Sequence, residues 1–99
     1  MGHAYSSILA DVFARYMRND GAKVFFLTGT DEHGLKIQNA AEKNGMEPLE
    51  YCNKISKVFK DLNVKLNLSN DDFIRTTEER HYKAVNDLWN RLVDSGDIY

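Results

Sequence analysis

The feature that most constrains the fold is an uninterrupted apolar run at residues 24–27, Val-Phe-Phe-Leu. Four residues are too few for a helix, and an apolar run without alternation is typical of a strand covered on both faces, as in parallel sheets. A polar segment with two glycines follows at residues 28–34, and a helical pattern then runs over residues 35–41 until Asn44 and Gly45 stop it. We therefore predict a strand, a loop and a helix of an α/β fold.

Helices are also predicted on either side of this unit. Residues 4–18 carry a broad apolar stripe typical of a core-facing helix, which ends at the turn-forming residues 19–21. The members of that stripe are Ile8, Leu9, Val12, Phe13, Tyr16 and Met17. Pro48 can open another helix at its first turn. The apolar positions of that helix repeat at intervals of three and four residues and are Leu49, Cys52, Ile55, Phe59 and Leu62.

The last third of the chain predicts a second strand and a last helix. Residues 63–72 are polar and irregular, and residues 73–75 are a short strand candidate. Thr76 and Glu79 have the spacing of a capping box, and Gly96 closes the helix that follows. The apolar positions of this helix are Tyr82, Val85, Leu88, Trp89 and Leu92. Because helices separate the two strands, we expect parallel pairing with right-handed crossovers.

The size of the chain limits how much sheet it can form. Its 99 residues, 42% hydrophobic and 28% charged, are enough for one globular domain at most, so we treat residues 1–99 as a single unit. Two strands are few for a stable sheet, and the chain starts on a helix and ends just after another. We expect a partial sheet, marginal stability of the isolated chain, and self-association through exposed sheet edges.

Charge and cysteine content exclude several classes of protein. Thirteen basic and 15 acidic residues give a formal net charge of -2, so no overall positive field gathers nucleic acid. Cys52 is the single cysteine, which excludes an internal disulfide and fits a reducing cytoplasm. No apolar run approaches the roughly 18 residues of a membrane span. The N-terminus has no basic region followed by an apolar one, so we expect neither export nor membrane insertion.

Polar groups are concentrated in the loop at residues 28–34, after the predicted strand. Open α/β sheets bind ligands at the carboxyl ends of their strands. Asp31, Glu32 and His33 offer two carboxylates and an imidazole there, and Gly29 and Gly34 let the backbone approach a ligand closely. Taken alone, the same segment is more simply a solvated turn with an acidic residue that caps a helix.

A second candidate is the Gly2-His3 pair at the start of the first helix, where backbone N–H groups can hold phosphate and the imidazole adds a donor. Taken alone, it is more simply a frayed N-terminal histidine. A metal site built from His3, Asp31 and His33 is chemically conceivable, but no ligand spacing supports it. Cys52 and Trp89 lie on apolar helix faces and are expected in the core.

Three blocks together resemble bacterial methionyl-tRNA synthetases, which are class I synthetases. The blocks are Gly-His-Ala-Tyr-Ser at residues 2–6, Phe-Leu-Thr-Gly-Thr-Asp-Glu-His-Gly at residues 26–34, and Asp-Phe-Ile-Arg-Thr-Thr-Glu-Glu-Arg-His at residues 72–81. Their order and spacing are far more specific than any one block, and the resemblance runs over the whole chain. It implies part of a Rossmann-type catalytic domain, a partial parallel sheet with flanking helices whose first strand and later strands are missing.

The family's His-Ile-Gly-His element, which touches ATP, matches only in part. Its last two positions fall on Gly2 and His3, Met1 stands at the isoleucine position, and the first histidine is absent. The Lys-Met-Ser-Lys-Ser loop, the connective domain with its zinc knuckle and the anticodon-binding helices are absent as well. The resemblance therefore implies an N-terminal fragment, inactive by itself, with any zinc in the parent enzyme and not bound by this chain.

The resemblance also assigns roles to three residues. Gly2 would allow close approach of ATP, and His3 would donate to the ATP phosphates as charge builds in the transition state. Asp31 would bind the methionine ammonium and so align the substrate carboxylate with the α-phosphate. The implied reaction forms methionyl-adenylate, releases pyrophosphate with the help of Mg²⁺, and then acylates tRNA(Met), whose contacts lie mostly outside this chain. His33 would support the loop.

Two other readings remain open at this point. The chain could be a freestanding, non-catalytic module that keeps half of the site as a nucleotide- or protein-binding surface, with Met1 as a true initiator. It could also be a small metal-binding domain, which elemental analysis would detect as stoichiometric metal.

Overall fold

A two-stranded parallel sheet lies at the centre of the computed structural model, which describes residues 2–99. In chain order the elements are α1 (Gly2–Asn19), β1 (Leu27–Thr30), α2 (Leu35–Lys43), α3 (Pro48–Lys65), β2 (Asp72–Arg75) and α4 (Glu79–Ser95). Leu27 pairs with Asp72 at one end of the ladder and Thr30 with Arg75 at the other. The predicted α/β class and the parallel pairing are confirmed.

The predicted position of the first strand is wrong by three residues. Strand β1 begins at Leu27, where the apolar run at residues 24–27 ends, and it includes the first three residues of the segment 28–34 that was predicted as a loop. A strand exists only where a partner accepts its hydrogen bonds, and β2 lies opposite Leu27–Thr30. Within the run, Phe26 is buried and Phe25 is exposed, so the expected burial on both faces is also wrong.

Gly29 is required by the pairing of the two strands. A Cβ at this position would lie 2.1 Å from the carbonyl oxygen of Ile74 on β2, far inside van der Waals contact. The two strands can therefore approach this closely only because Gly29 has no side chain. The close contact between the two strands explains why residue 29 is glycine. The role expected of this glycine from the sequence was to let a ligand approach the backbone.

Helix α1 forms as predicted, but its apolar stripe does not face a core. Five of its members are between 43% and 65% exposed: Ile8, Leu9, Val12, Phe13 and Tyr16. The buried positions of α1 are Asp11 and Ala14. The Asp11 carboxylate accepts hydrogen bonds from the N–H (2.7 Å) and Oγ (2.6 Å) of Ser69, and Arg18 donates to Ser69 and Asp71. These polar contacts hold α1 to the loop before β2 and leave the stripe exposed.

Helices α2 and α3 pack against each other. Helix α3 starts at Pro48 and continues to Lys65, so it includes the first three residues of the segment that was predicted to be irregular. Cys52, on α3, is buried as expected.

Helix α4 differs from its prediction in two respects. Its N-cap is Glu78, not Thr76, and the Glu78 carboxylate accepts hydrogen bonds from the Arg75 N–H and from Arg80. The predicted capping box is therefore wrong. Gly96 ends the helix in the left-handed conformation, as predicted. Trp89 is 57% exposed, so its expected place in the core is wrong as well, because no described residue covers that face of α4.

The described chain is more open than a compact domain of its size. Its radius of gyration is 16.7 Å, whereas about 13 Å is typical of 100 residues. Four apolar residues are buried among those described: Ala14, Phe26, Ala41 and Cys52. The hydrophobic area removed from water is correspondingly small. Among residues 2–99, no helix combines the length and apolar character needed to cross a membrane.

Candidate active site

A cleft of about 290 Å³ lies where α1, β1 and α3 meet, next to the carboxyl end of β1. The start of α1 contributes His3, the loop after β1 contributes Asp31 and Glu32, and α3 contributes Cys52 and Phe59. His3 and Asp31 are 28 positions apart in sequence, and the structure brings both to the wall of this cleft. This is the edge of the sheet at which open α/β folds bind ligands.

His3 lies in the first turn of α1 and is exposed to solvent. Its ring packs edge-on against Phe59, with 5.1 Å between the ring centroids. The N–H groups of the first turn of a helix have no helical acceptor and carry the positive end of the helix dipole. A phosphate in the cleft near His3 would meet both these N–H groups and the imidazole.

Gly2 precedes His3 at the first position of α1, but it does not line the cleft. A Cβ at Gly2 would find nothing within 4 Å, so packing within the described residues does not demand glycine. The predicted correspondence of Met1 with the isoleucine of the family element lies outside the described residues. The structure thus places His3 in the wall of the cleft, whereas Gly2 is next to His3 in the sequence but does not line the cleft.

Asp31 presents an exposed carboxylate to the cleft directly after β1. Its Oδ1 accepts one long hydrogen bond, from the N–H of His33 at 3.4 Å. A carboxylate that is this little engaged retains most of its acceptor capacity for a cationic ligand. Asp31 does not cap α2, because Gly34 occupies the N-cap position with φ of 115°. The capping alternative for Asp31 is therefore wrong.

Sequence reasoning named Glu32 as one of two carboxylates offered to a ligand and missed that it is buried and ion-paired. It is 6% exposed, although it stands between two exposed residues of a polar loop. Arg75 donates to both of its carboxylate oxygens, with Nε and Nη2 each at 2.8 Å, and the hydroxyls of Thr30 and Thr77 donate as well. Burial by itself raises the pKa of Glu32, but these hydrogen bonds outweigh it, so the pKa lies below its usual range. Glu32 is therefore a buried, ionised and fully paired carboxylate.

His33 lies outside the cleft and contacts the chain after β2. Its Nε2 is 3.1 Å from the carbonyl oxygen of Thr76, and its ring lies 6.2 Å from that of Tyr82. This contact ties the loop to the residue that follows β2, and the supporting role expected of His33 stays a prediction. Among residues 2–99, no three His, Cys, Asp or Glu side chains gather where they could hold a metal ion. The structure thus does not assemble the site from His3, Asp31 and His33.

Cys52 closes the inner wall of the cleft. Its Sγ lies 3.6 Å from the carbonyl oxygen of Glu32, to which the thiol donates. Burial raises the pKa of this thiol, and the nearby Glu32 carboxylate raises it further, so Cys52 stays protonated and unreactive at neutral pH. Cys52 is therefore a packing residue of the site and not a nucleophile.

The cleft offers complementary groups to a ligand that carries both charges. The start of α1 and His3 supply donors for an anion, and Asp31 supplies an acceptor for a cation. A zwitterionic amino acid together with a nucleotide phosphate has this distribution of charge. The chemistry that such an arrangement can perform is positioning and charge stabilisation, without a protein nucleophile.

Comparisons with known proteins agree with this geometry. The family model of class I (M) tRNA synthetases matches residues 1–99. The methionine–tRNA ligase of Rickettsia typhi is 54% identical over the whole chain, and that of Rhizobium meliloti is 52% identical. A solved Mycobacterium tuberculosis methionyl-tRNA synthetase in complex with methionyl-adenylate superposes on 99% of the chain with a TM-score of 0.94 and 47% identity. The chain spans about a fifth of the length of each of these proteins.

Proposed function

The chain belongs to the class I (M) tRNA synthetases, and from this premise we propose that residues 1–99 are part of a catalytic domain that activates methionine with ATP. The product is methionyl-adenylate, from which methionine is transferred to tRNA(Met). The observation that carries the proposal is the meeting of His3 and Asp31 in one cleft at the carboxyl end of β1. The similar M. tuberculosis enzyme is in complex with methionyl-adenylate, the intermediate of this reaction.

In this proposal Asp31 binds the ammonium group of methionine. Its carboxylate is exposed to the cleft and weakly engaged, so a charge-assisted hydrogen bond with the ammonium replaces contacts with water. The methionine carboxylate is then held in line with the α-phosphorus of ATP. One carboxylate oxygen forms the new bond to phosphorus, the bond to the bridging oxygen breaks, and pyrophosphate leaves with the electron pair.

His3 and the first turn of α1 face the phosphates in the same proposal. The imidazole donates to a phosphate oxygen as negative charge develops, and the helix dipole adds to the effect. Gly2 leaves the helix start free of a side chain, which allows the nucleotide to approach.

Mg²⁺ enters with ATP as part of the substrate. The described residues do not assemble a metal site of their own, and we assign no zinc to them. The tRNA binds mainly through other parts of the synthetase. We also propose a cytoplasmic location, in keeping with the buried free thiol of Cys52, and self-association through the sheet edges that stay unpaired among the described strands.

Methionine-dependent ATP–pyrophosphate exchange tests the proposal. The assay compares this chain with a chimaera of the M. tuberculosis enzyme in which residues 1–99 replace the matched segment. We expect exchange in the chimaera, dependent on methionine, and none in the chain by itself. Exchange without any amino acid, or no exchange in a folded chimaera, would contradict the proposal and favour a binding module without catalysis.

Two variants of the chimaera then test the residue roles. Asp31→Asn removes the charge that pairs with the ammonium and should raise the KM for methionine roughly 10- to 100-fold, with little change in the KM for ATP. His3→Ala should lower kcat for adenylate formation. Asp20→Asn and His81→Ala change the same residue types outside the cleft and serve as matched controls. Equal loss of methionine and ATP binding in Asp31→Asn would refute the ammonium assignment.

A further inference from the structure

Two adjacent carboxylates at the end of β1 have opposite surroundings. Asp31 is exposed to the cleft, whereas Glu32 is buried and held by four donors from Thr30, Arg75 and Thr77. A buried carboxylate is costly unless it is paired, and the two-pronged contact with Arg75 supplies that pairing. The guanidinium also donates to Asn53 on α3 at 2.7 Å, so the pair joins β1, β2 and α3.

The backbone on both sides of Asp31 is fixed by the same elements. On the amino side, the Thr30 carbonyl oxygen accepts the N–H of Thr76 at 3.2 Å, which continues the pairing of the strands. On the carboxyl side, the Glu32 N–H donates to Thr76 Oγ1 at 2.8 Å, and the Glu32 carbonyl oxygen accepts from Cys52. The Cα of Asp31 therefore lies between two fixed peptide groups, although its own side chain is nearly free.

The charge of Glu32 is neutralised where that of Asp31 is not. Arg75 binds Glu32 through two nitrogens and so neutralises its charge. Among the described residues Asp31 has no ion pair, so an ammonium group that enters the cleft binds the Asp31 carboxylate. If Glu32 lost Arg75, a second carboxylate would compete for the same cation one residue away. The pair therefore fixes the place of Asp31 and keeps the negative charge at one position.

We propose that the Glu32–Arg75 pair is a positioning device for Asp31 and sets the affinity of the site for the ammonium group of the amino acid. This inference rests on the proposed function, in which Asp31 binds that group. Glu32 and Arg75 act on Asp31 through the backbone and through the neutralised charge, because their side chains are bound to each other. Such a role differs from a purely structural one, because it acts on the amino acid selectively and spares ATP.

The test is Glu32→Gln in the chimaera, assayed by ATP–pyrophosphate exchange. The KM for methionine should rise roughly tenfold or more, because a small displacement of a positioning group weakens binding strongly. The KM for ATP should stay near its original value. Asp11→Asn is the matched control, since Asp11 is also a buried, ion-paired carboxylate but does not line the cleft. Asp11→Asn should leave the KM values for methionine and ATP unchanged, even if it lowers the stability as much as Glu32→Gln does.

A double variant separates positioning from stability. Combining Glu32→Gln with Arg75→Gln removes the unpaired buried charge and should recover part of the lost stability, while the KM for methionine stays high. If the KM recovers together with the stability, the role is structural and the inference is overturned. If Glu32→Gln does not fold, Thr76→Val removes only the acceptor of the Glu32 N–H and carries the same expectation for both KM values.

Asp31→Asn distinguishes failure of the inference from failure of the proposed function. If Asp31→Asn raises the KM for methionine and Glu32→Gln does not, the positioning inference alone is wrong. If Asp31→Asn leaves that KM unchanged, the assignment of Asp31 is wrong and the inference falls with it.

Discussion

Replacement of Gly29 by alanine should disrupt the sheet at its centre. The new Cβ would lie 2.1 Å from the Ile74 carbonyl oxygen and 2.8 Å from the Ile74 Cγ2, both on the paired strand. A carbon normally approaches a carbonyl oxygen no closer than about 3.3 Å, so the strands would have to separate by roughly 1.2 Å. A separation of this size strains the ladder on both sides of Gly29. The nearest atom is a backbone carbonyl oxygen, which cannot move away by a change of side-chain rotamer.

The expected destabilisation follows from these distances. Overpacking costs about 1–3 kcal/mol, and the loss of one or two ladder hydrogen bonds adds about 1 kcal/mol each, so Gly29→Ala should lower the free energy of unfolding by roughly 2–4 kcal/mol. Urea unfolding followed by circular dichroism measures this difference. For a chain with so small a core, complete loss of the cooperative transition is also an expected result.

Gly2→Ala is the matched control, because a Cβ at Gly2 meets nothing within 4 Å. This substitution should change the stability by no more than about 0.5 kcal/mol. If the free energies of unfolding of Gly29→Ala and Gly2→Ala agree within that amount, the close approach of Gly29 to Ile74 is refuted, and with it the register of the sheet.

Two further predictions concern acid stability and the exposed face of α4. Glu32 and Asp11 have folded-state pKa values below their ordinary values of 4.5 and 3.8. Their contribution to the free energy of unfolding is therefore complete when the pH is above those ordinary values. It is lost as the pH falls through the lower folded-state pKa values. Urea unfolding between pH 7 and pH 3 should show this loss, and Glu32→Gln should reduce it; greater stability in acid would contradict the sign. Trp89, the single tryptophan, is 57% exposed, so iodide should quench its fluorescence readily at low protein concentration. Protection that increases with concentration would show that a second copy covers α4.

Local sequence determined where the helices lie and several of their ends, although it misplaced the start of α4 and the end of α3. Pro48 starts α3, Gly96 ends α4 in the left-handed conformation, and Gly21, with φ of 87°, follows α1. These signals act within a few residues of the chain and need no partner, so sequence reasoning finds them. The motif blocks likewise placed His3 and Asp31 among the candidate site residues, because the family pattern is read in sequence order.

Tertiary structure decided what depends on a distant partner. The start of β1 at Leu27 depends on β2, because a strand is defined by the ladder it joins and not by its own apolar residues. The opposite roles of Asp31 and Glu32 depend on Arg75, which lies 43 residues beyond Glu32 in the sequence. Arg75 binds the Glu32 carboxylate and leaves the chemically similar Asp31 carboxylate unpaired among the described residues. The exposure of the α1 stripe depends on the polar contacts of Asp11 with Ser69. Local sequence cannot determine burial, because burial is a property of whatever packs against a residue.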